Sequence, residues 1–167
     1  MKKTILVASI ASLFLAGCIP AVVEQPILSS YDRGEISWSL KKGSGIIEGN
    51  GFLRRNDGML VKCAGQEVSL VAAGTYATER FTKLYGNYLG GYNKYRDVED
   101  AQAGYNQDMK ITICDVDGKF EFKDVAAGKY YVATYVGWLI ANQWQGGNLS
   151  KLIEVKEGET LKVILSQ

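Results

Sequence analysis

Between Met109 and Leu165, apolar and polar residues alternate in short runs broken by turn residues. This rhythm constrains the fold more than any other property of the chain. Met109, Ile111 and Ile113 would share one face of a strand, and Asp117-Gly118 reads as a hairpin-type turn. Phe120 and Phe122 alternate with Glu121 and Lys123, and Val125 and Gly128 punctuate before a strand over Tyr130–Trp138. Gly146-Gly147-Asn148 reads as a loop. Leu152–Val155 and Leu161–Leu165 are expected to pair as a last hairpin across Lys156–Glu159. A period of two places successive side chains on opposite faces, the pattern of a half-buried strand. Glu35–Leu40 (Ile36, Trp38, Leu40), Gly45–Leu53 and Gln66–Ala72 extend the pattern upstream, with Asn56-Asp57-Gly58 as a turn. Short strands at regular spacing predict an all-β, antiparallel sandwich of about seven strands.

One stretch breaks the rhythm. Ala77, Phe81, Leu84 and Tyr85 recur at three- and four-residue spacing, and Gly86 suits a stop, which predicts a short helix from Thr75 with Thr75 or Thr78 at its start. A polar, Gly- and Tyr-rich connection follows over residues 87–106. Six of the ten tyrosines (Tyr76, Tyr85, Tyr88, Tyr92, Tyr95, Tyr105) fall in this helix and connection. Two readings stand side by side. The rings form a recognition surface for a glycan or protein, with Tyr85, Tyr88, Tyr92, Tyr95 and Trp144 as its candidate residues. Alternatively, the long segment packs its own rings over the sandwich. Trp138 and Trp144 carry the same ambiguity, as sugar-stacking platforms or core.

The run Asp115-Val-Asp-Gly118-Lys-Phe120-Glu-Phe122-Lys-Asp-Val125-Ala-Ala-Gly128-Lys-Tyr130-Tyr-Val132 resembles the core of carboxypeptidase regulatory-like domains. Ile153-Glu-Val155 through Val163 resembles the closing strands of that family. The likeness covers about residues 108–165 and is looser over 44–74, with 75–106 as an insertion. It implies a prealbumin-like (transthyretin-like) sandwich. Some transthyretin-related proteins hydrolyse a purine-pathway intermediate, and some prealbumin-like sandwiches hold catalytic iron, in both cases through histidines. This chain has no histidine, so neither chemistry carries over.

The other strong signal is N-terminal. Lys2 and Lys3 precede an apolar run, Ile5–Leu15, which leads into Leu15-Ala16-Gly17-Cys18. That order resembles a bacterial lipoprotein signal peptide and lipobox, against the alternative of an ordinary signal that contains a cysteine. Cleavage after residue 17 would leave Cys18 carrying diacylglycerol and an amide-linked acyl chain, and two or three chains anchor firmly. Ile19 after the cysteine favours the outer membrane, facing the periplasm. Residues 18–34, with Pro20 and Pro26, are then the lipidated N-terminus and a tether. Residues 35–167 are the domain.

Removing the two signal lysines leaves 17 basic against 18 acidic residues, so charge makes no case for nucleic acid. Lack of histidine removes the common catalytic triads and the usual zinc and iron ligand. In an oxidising compartment Cys63 and Cys114 are expected to pair rather than remain as buried thiols. Asp115, Asp117 and Asp124 lack the full calcium-loop pattern and read as turn residues. Asp97 with Glu99 or Asp100 reads as a solvated charge run rather than an acid–base pair. The expectation is a membrane-anchored, non-enzymatic envelope lipoprotein without metal or cofactor, partnered by the membrane and by an envelope protein or glycan. Carbohydrate or peptide binding and surface exclusion are the alternative roles.

Overall fold

A computed structural model describes residues 25–167, and the signal segment and Cys18 lie outside the described residues. The strands are β1 (Gly45–Arg54), β2 (Leu60–Lys62), β3 (Glu67–Ala72), β4 (Gly90–Asn93), β5 (Lys110–Ile113), β6 (Lys119–Val125), β7 (Gly128–Ile140), β8 (Gln143–Val155) and β9 (Thr160–Leu165). One α-helix, α1 (Thr75–Tyr85), lies between β3 and β4. The chain is an all-β sandwich, with nine strands among the described residues rather than about seven. One sheet has β1 at its centre. β9 runs parallel on one side, while β6 and, beyond it along β1, β2 (both antiparallel) share the other. The second sheet has the order β4-β8-β7-β3-β5, antiparallel throughout.

Alternation builds the core as the sequence predicts. Ile47, Leu53, Phe120, Phe122, Val163 and Leu165 face inward from one sheet. Val68, Leu70, Tyr130, Val132, Val136, Leu149 and Ile153 meet them from the other. Each fully buried Phe contributes about 1.5–3 kcal/mol. Cys63, just after β2, and Cys114, just after β5, are disulfide-bonded with Cα atoms 5.7 Å apart, which ties one sheet to the other. Glycine is needed at 128, where φ is +152° and a Cβ would lie 2.1 Å from the Trp38 ring.

The helix forms where its spacing predicts and stops at Gly86, which takes the left-handed conformation (φ 78°). Its buried face, Tyr76, Ala77 and Phe81, covers the outer face of the five-stranded sheet. There Phe81 stacks on Tyr131 with centroids 4.0 Å apart. The position before α1 is Gly74, which has no side-chain cap. Instead the Glu35 carboxylate accepts from the Thr75 N–H and hydroxyl.

Several sequence expectations need correction. The last two strands do not form a hairpin: β8 lies in the five-stranded sheet, whereas β9 crosses to the other and pairs with β1 in parallel. Asp115–Gly118 is a tight turn, but it too links strands of different sheets. Gly146-Gly147-Asn148 is not a loop and lies inside β8, and the connection after α1 contributes β4. Residues 35–40 form consecutive turns, not a strand, with Ser39 N–H donating to the Ile36 carbonyl at 2.9 Å. Ile36 and Trp38 still turn inward and close one end of the sandwich, whereas Leu40, expected on the same face, is exposed and Ser39 is buried in its place.

The tether also ends early. From Gln25 onward the chain is strapped over α1 and residues 97–108. Glu99 accepts the Ile27 N–H, Glu79 accepts those of Leu28 and Ser29, and Gln102 accepts that of Tyr31. Lys83 donates to the Pro26 carbonyl. A Pro- and Ser-containing segment without strand partners resembles a linker, yet here side-chain acceptors satisfy its backbone N–H groups.

Candidate functional site

A cleft of about 400 Å³ opens at the end of the sandwich where β1, β4 and the β7–β8 hairpin meet. The β1–β2 turn supplies Arg55, Asn56 and Asp57, β4 and its extension supply Tyr92 and Lys94, and the hairpin supplies Trp138, Ile140 and Gln145. These residues are far apart in sequence, and the sheet order alone brings them together. Trp138 and Gln145 are register partners, so they share the inward face of the hairpin.

Each polar group in the cleft has a defined position. The Arg55 guanidinium lies 6.0 Å from the Trp138 ring centroid and 2.8 Å from Asp57. Trp138 therefore offers an indole whose neighbours are a cation and a carboxylate. Its N–H is buried without an acceptor among the described residues. The Lys94 ammonium donates to Gln145 Oε1 at 3.2 Å and sits 5.1 Å from the Tyr95 ring. Hydrogen bonding to Tyr95 is the largest influence holding the Lys94 pKa above its ordinary value.

Tyr92 is half-buried, and its hydroxyl donates to the Gly146 carbonyl at 2.9 Å. Burial pushes its phenol up. The glycine pair makes this seat. At Gly147 a Cβ would approach the Asn93 carbonyl to 2.5 Å and the Tyr92 ring to 2.8 Å. At Gly146, with φ +105°, a Cβ would collide with the β7 backbone. The residues read from sequence as a loop are thus what lets an aromatic ring lie flat on a strand.

The candidates named from sequence separate into groups. Tyr85 packs inward from α1, parallel to Phe81 at 5.8 Å, and burial raises its pKa. Tyr88 is exposed, although its carbonyl accepts the Tyr131 hydroxyl. Tyr92 lines the cleft and Tyr95 stands exposed beside it. Trp144 is exposed and pairs with Leu139, which puts both on the face of the hairpin opposite Trp138. Tyr76 and Tyr105 join Tyr31 in an edge-to-face cluster with centroids 5.1–5.8 Å apart. The tyrosines therefore divide by position: rings near α1 pack on one another, and the ring on β4 borders a cleft. Arg55, Asn56, Asp57, Lys94 and Gln145 were not singled out. Their only sequence signal was the turn at Asn56–Gly58.

The acidic candidates have structural partners. Asp115 Oδ1 accepts from the Asp117 and Lys119 N–H groups, Asp117 meets Lys62, and Asp124 meets Lys42. Asp97 accepts the Val98 N–H, and Glu99 holds the strap. Other hollows suit a ligand less. A cavity of about 10 Å³ beside Tyr31 is no larger than a water site. A wider depression of about 850 Å³ across β1, β5, β6 and β9 has Phe120 as its only aromatic lining residue, and that ring is buried in the core.

No protein-family model matches this chain, and no curated protein matches it. Among solved structures it is similar to a Pseudomonas aeruginosa protein described as a "putative carbohydrate binding protein". The TM-score is 0.69 at 21% identity, and the alignment covers 83% of this chain and 99% of the other. At that identity the likeness establishes the shared fold.

Proposed function

We propose that this chain is a lipid-anchored envelope protein whose sandwich binds carbohydrate in the cleft at Trp138 and Tyr92. The observation that carries the binding role is the grouping of two aromatic rings with Arg55, Asn56, Asp57, Lys94 and Gln145 around one opening. Sugars present C–H faces, which pack on rings, and hydroxyls, which need donors and acceptors in fixed places. The carbohydrate-binding description of a protein with this fold supports the same reading. The role is binding rather than catalysis: the chain has no histidine, and the cleft carboxylate, Asp57, is paired with Arg55. The anchor rests on the lipobox at Cys18. The resemblance to carboxypeptidase regulatory-like domains agrees with a display module of this kind.

Titration of the purified full chain with a panel of oligosaccharides, followed by tryptophan fluorescence, tests the reading. A saturable change is expected for at least one glycan. Gln145→Ala, at a half-buried position, should weaken it about tenfold, the equivalent of one lost hydrogen bond. Silence across the panel at millimolar ligand would overturn the carbohydrate assignment.

A further inference from the structure

The β7–β8 hairpin runs past the strands that support it. β3 pairs with β7 only as far as Thr134, and β4 pairs with β8 only as far as Asn148. Beyond them, Tyr135–Ile140 and Gln143–Gly147 have no other strand neighbours within the sheet among the described residues. Ala141 and Asn142, both at positive φ (46° and 62°), close the ribbon in the two-residue turn that suits twisted hairpins. The inner side of the ribbon is covered at its base, where Val136 is fully buried. The tip is uncovered on both faces: Ile140 on the inner face is 48% exposed, and Leu139 and Trp144 on the outer face are 54% and 68% exposed. Apolar residues thus project from both faces of a narrow tip, an arrangement that water does not favour. Beside it stands Tyr95, 75% exposed, with the Lys94 ammonium bridging to Gln145.

The path of the chain indicates what covers this tip. Gln25 is the first described residue and bridges Val98, with its N–H donating to the Asp97 carbonyl. Asp97 is three residues from Lys94, whose side chain touches the residue next to Trp144. Only six residues separate Cys18 from Gln25, so a lipid on Cys18 lies within about 25 Å of the strap's start. Tryptophan and tyrosine at an apolar tip beside a lysine suit the interface between acyl chains and anionic headgroups. We infer that the tip formed by Leu139, Ile140 and Trp144 inserts into the headgroup layer of the membrane that holds Cys18. This rests on the anchor reading given above. The cleft, which Ile140 and Trp138 border on the inner face, then opens at the level of the headgroups.

The experiment uses the full chain extracted from membranes and returned to vesicles of phosphatidylethanolamine and phosphatidylglycerol, with and without brominated acyl chains. In the wild type, bromolipid should quench a blue-shifted emission component, and Trp144→Phe should abolish it while Trp38 and Trp138 report an intact fold. Leu139→Ser with Ile140→Ser should reduce the quenching without lowering the thermal midpoint. Intact mass of the same preparation separates the two failures. Acylated protein whose emission ignores bromolipid overturns the tip insertion alone. Protein without acyl chains overturns the anchor and this inference together.

Discussion

On its inner face the five-stranded sheet meets Phe120, Phe122, Val163 and Leu165 across a core of buried apolar side chains, with the Cys63–Cys114 disulfide crossing between the layers. On its outer face it meets α1, and the strap over α1 is held largely by side-chain oxygens accepting backbone N–H groups. The first grip is non-directional and comes with area. The second is directional and depends on individual carboxylates being ionised. The inner face should therefore fail as a unit and ignore pH, whereas the outer strap should release in part and respond to acid.

The largest effects are expected inside. Phe122 is buried where β6 lies against β1, and Phe122→Ala should cost about 3–5 kcal/mol by denaturant unfolding. Cys63→Ala with Cys114→Ala opens a loop with a sequence separation of 51 and should cost about 4 kcal/mol in the chain-entropy model. Both changes should shift the midpoint of the whole transition. A variant that melted only the strap would contradict the division between the two faces.

Tyr31 is where the two kinds of grip meet. Its ring packs edge-to-face on Tyr76 and Tyr105, and its hydroxyl donates to Asp108 at 2.5 Å, with Arg33 on the same carboxylate. Burial first, then Asp108, pushes the phenol well above its ordinary range. Tyr31→Phe keeps the ring and removes the bond. It should cost about 1 kcal/mol and raise amide exchange in residues 27–35 more than in β7. Equal loss of protection in both regions would show that the strap and the core are a single cooperative unit.

How much of this was legible in sequence follows the same division. Alternation over 119–138 and the three-to-four spacing of α1 are local patterns, and local sterics produced the strand and helix they imply. The cysteine pair needed only an even count and a compartment. Strand partnership is non-local, so the placement of β9 on β1 was invisible to a pattern that a β8–β9 hairpin would satisfy equally well. Trp38 and Ile36 fill space left by Gly128 and Gly74, and a reading of residues 35–40 alone cannot weigh those glycines. The cleft was the least legible. Arg55, Tyr92 and Trp138 become neighbours only after three connections are known, and the glycines that seat Tyr92 look like a loop until their strand partners are placed.

The smallest effect is also the most specific. Glu79 accepts the Leu28 N–H, an ammonium proton from Lys83, and the N–H and hydroxyl of Ser29. These contacts, Leu28 first, lower its carboxyl pKa to about 2 from an ordinary 4.5. The folded state therefore binds this proton less tightly than the unfolded chain does. The contribution of Glu79 is complete above about pH 4.5 and is lost as pH falls towards 2. Amide signals of Leu28 and Ser29 should move through that window while those of Val132 and Leu149 stay in place. In Glu79→Gln the window should vanish, because the amide keeps one acceptor oxygen and has no proton to gain. The strap amides would then show their weakened state at every pH. A wild-type strap that stayed fixed at pH 2 would mean that the ring cluster around Tyr31, rather than the carboxylate clasp, holds the outer layer.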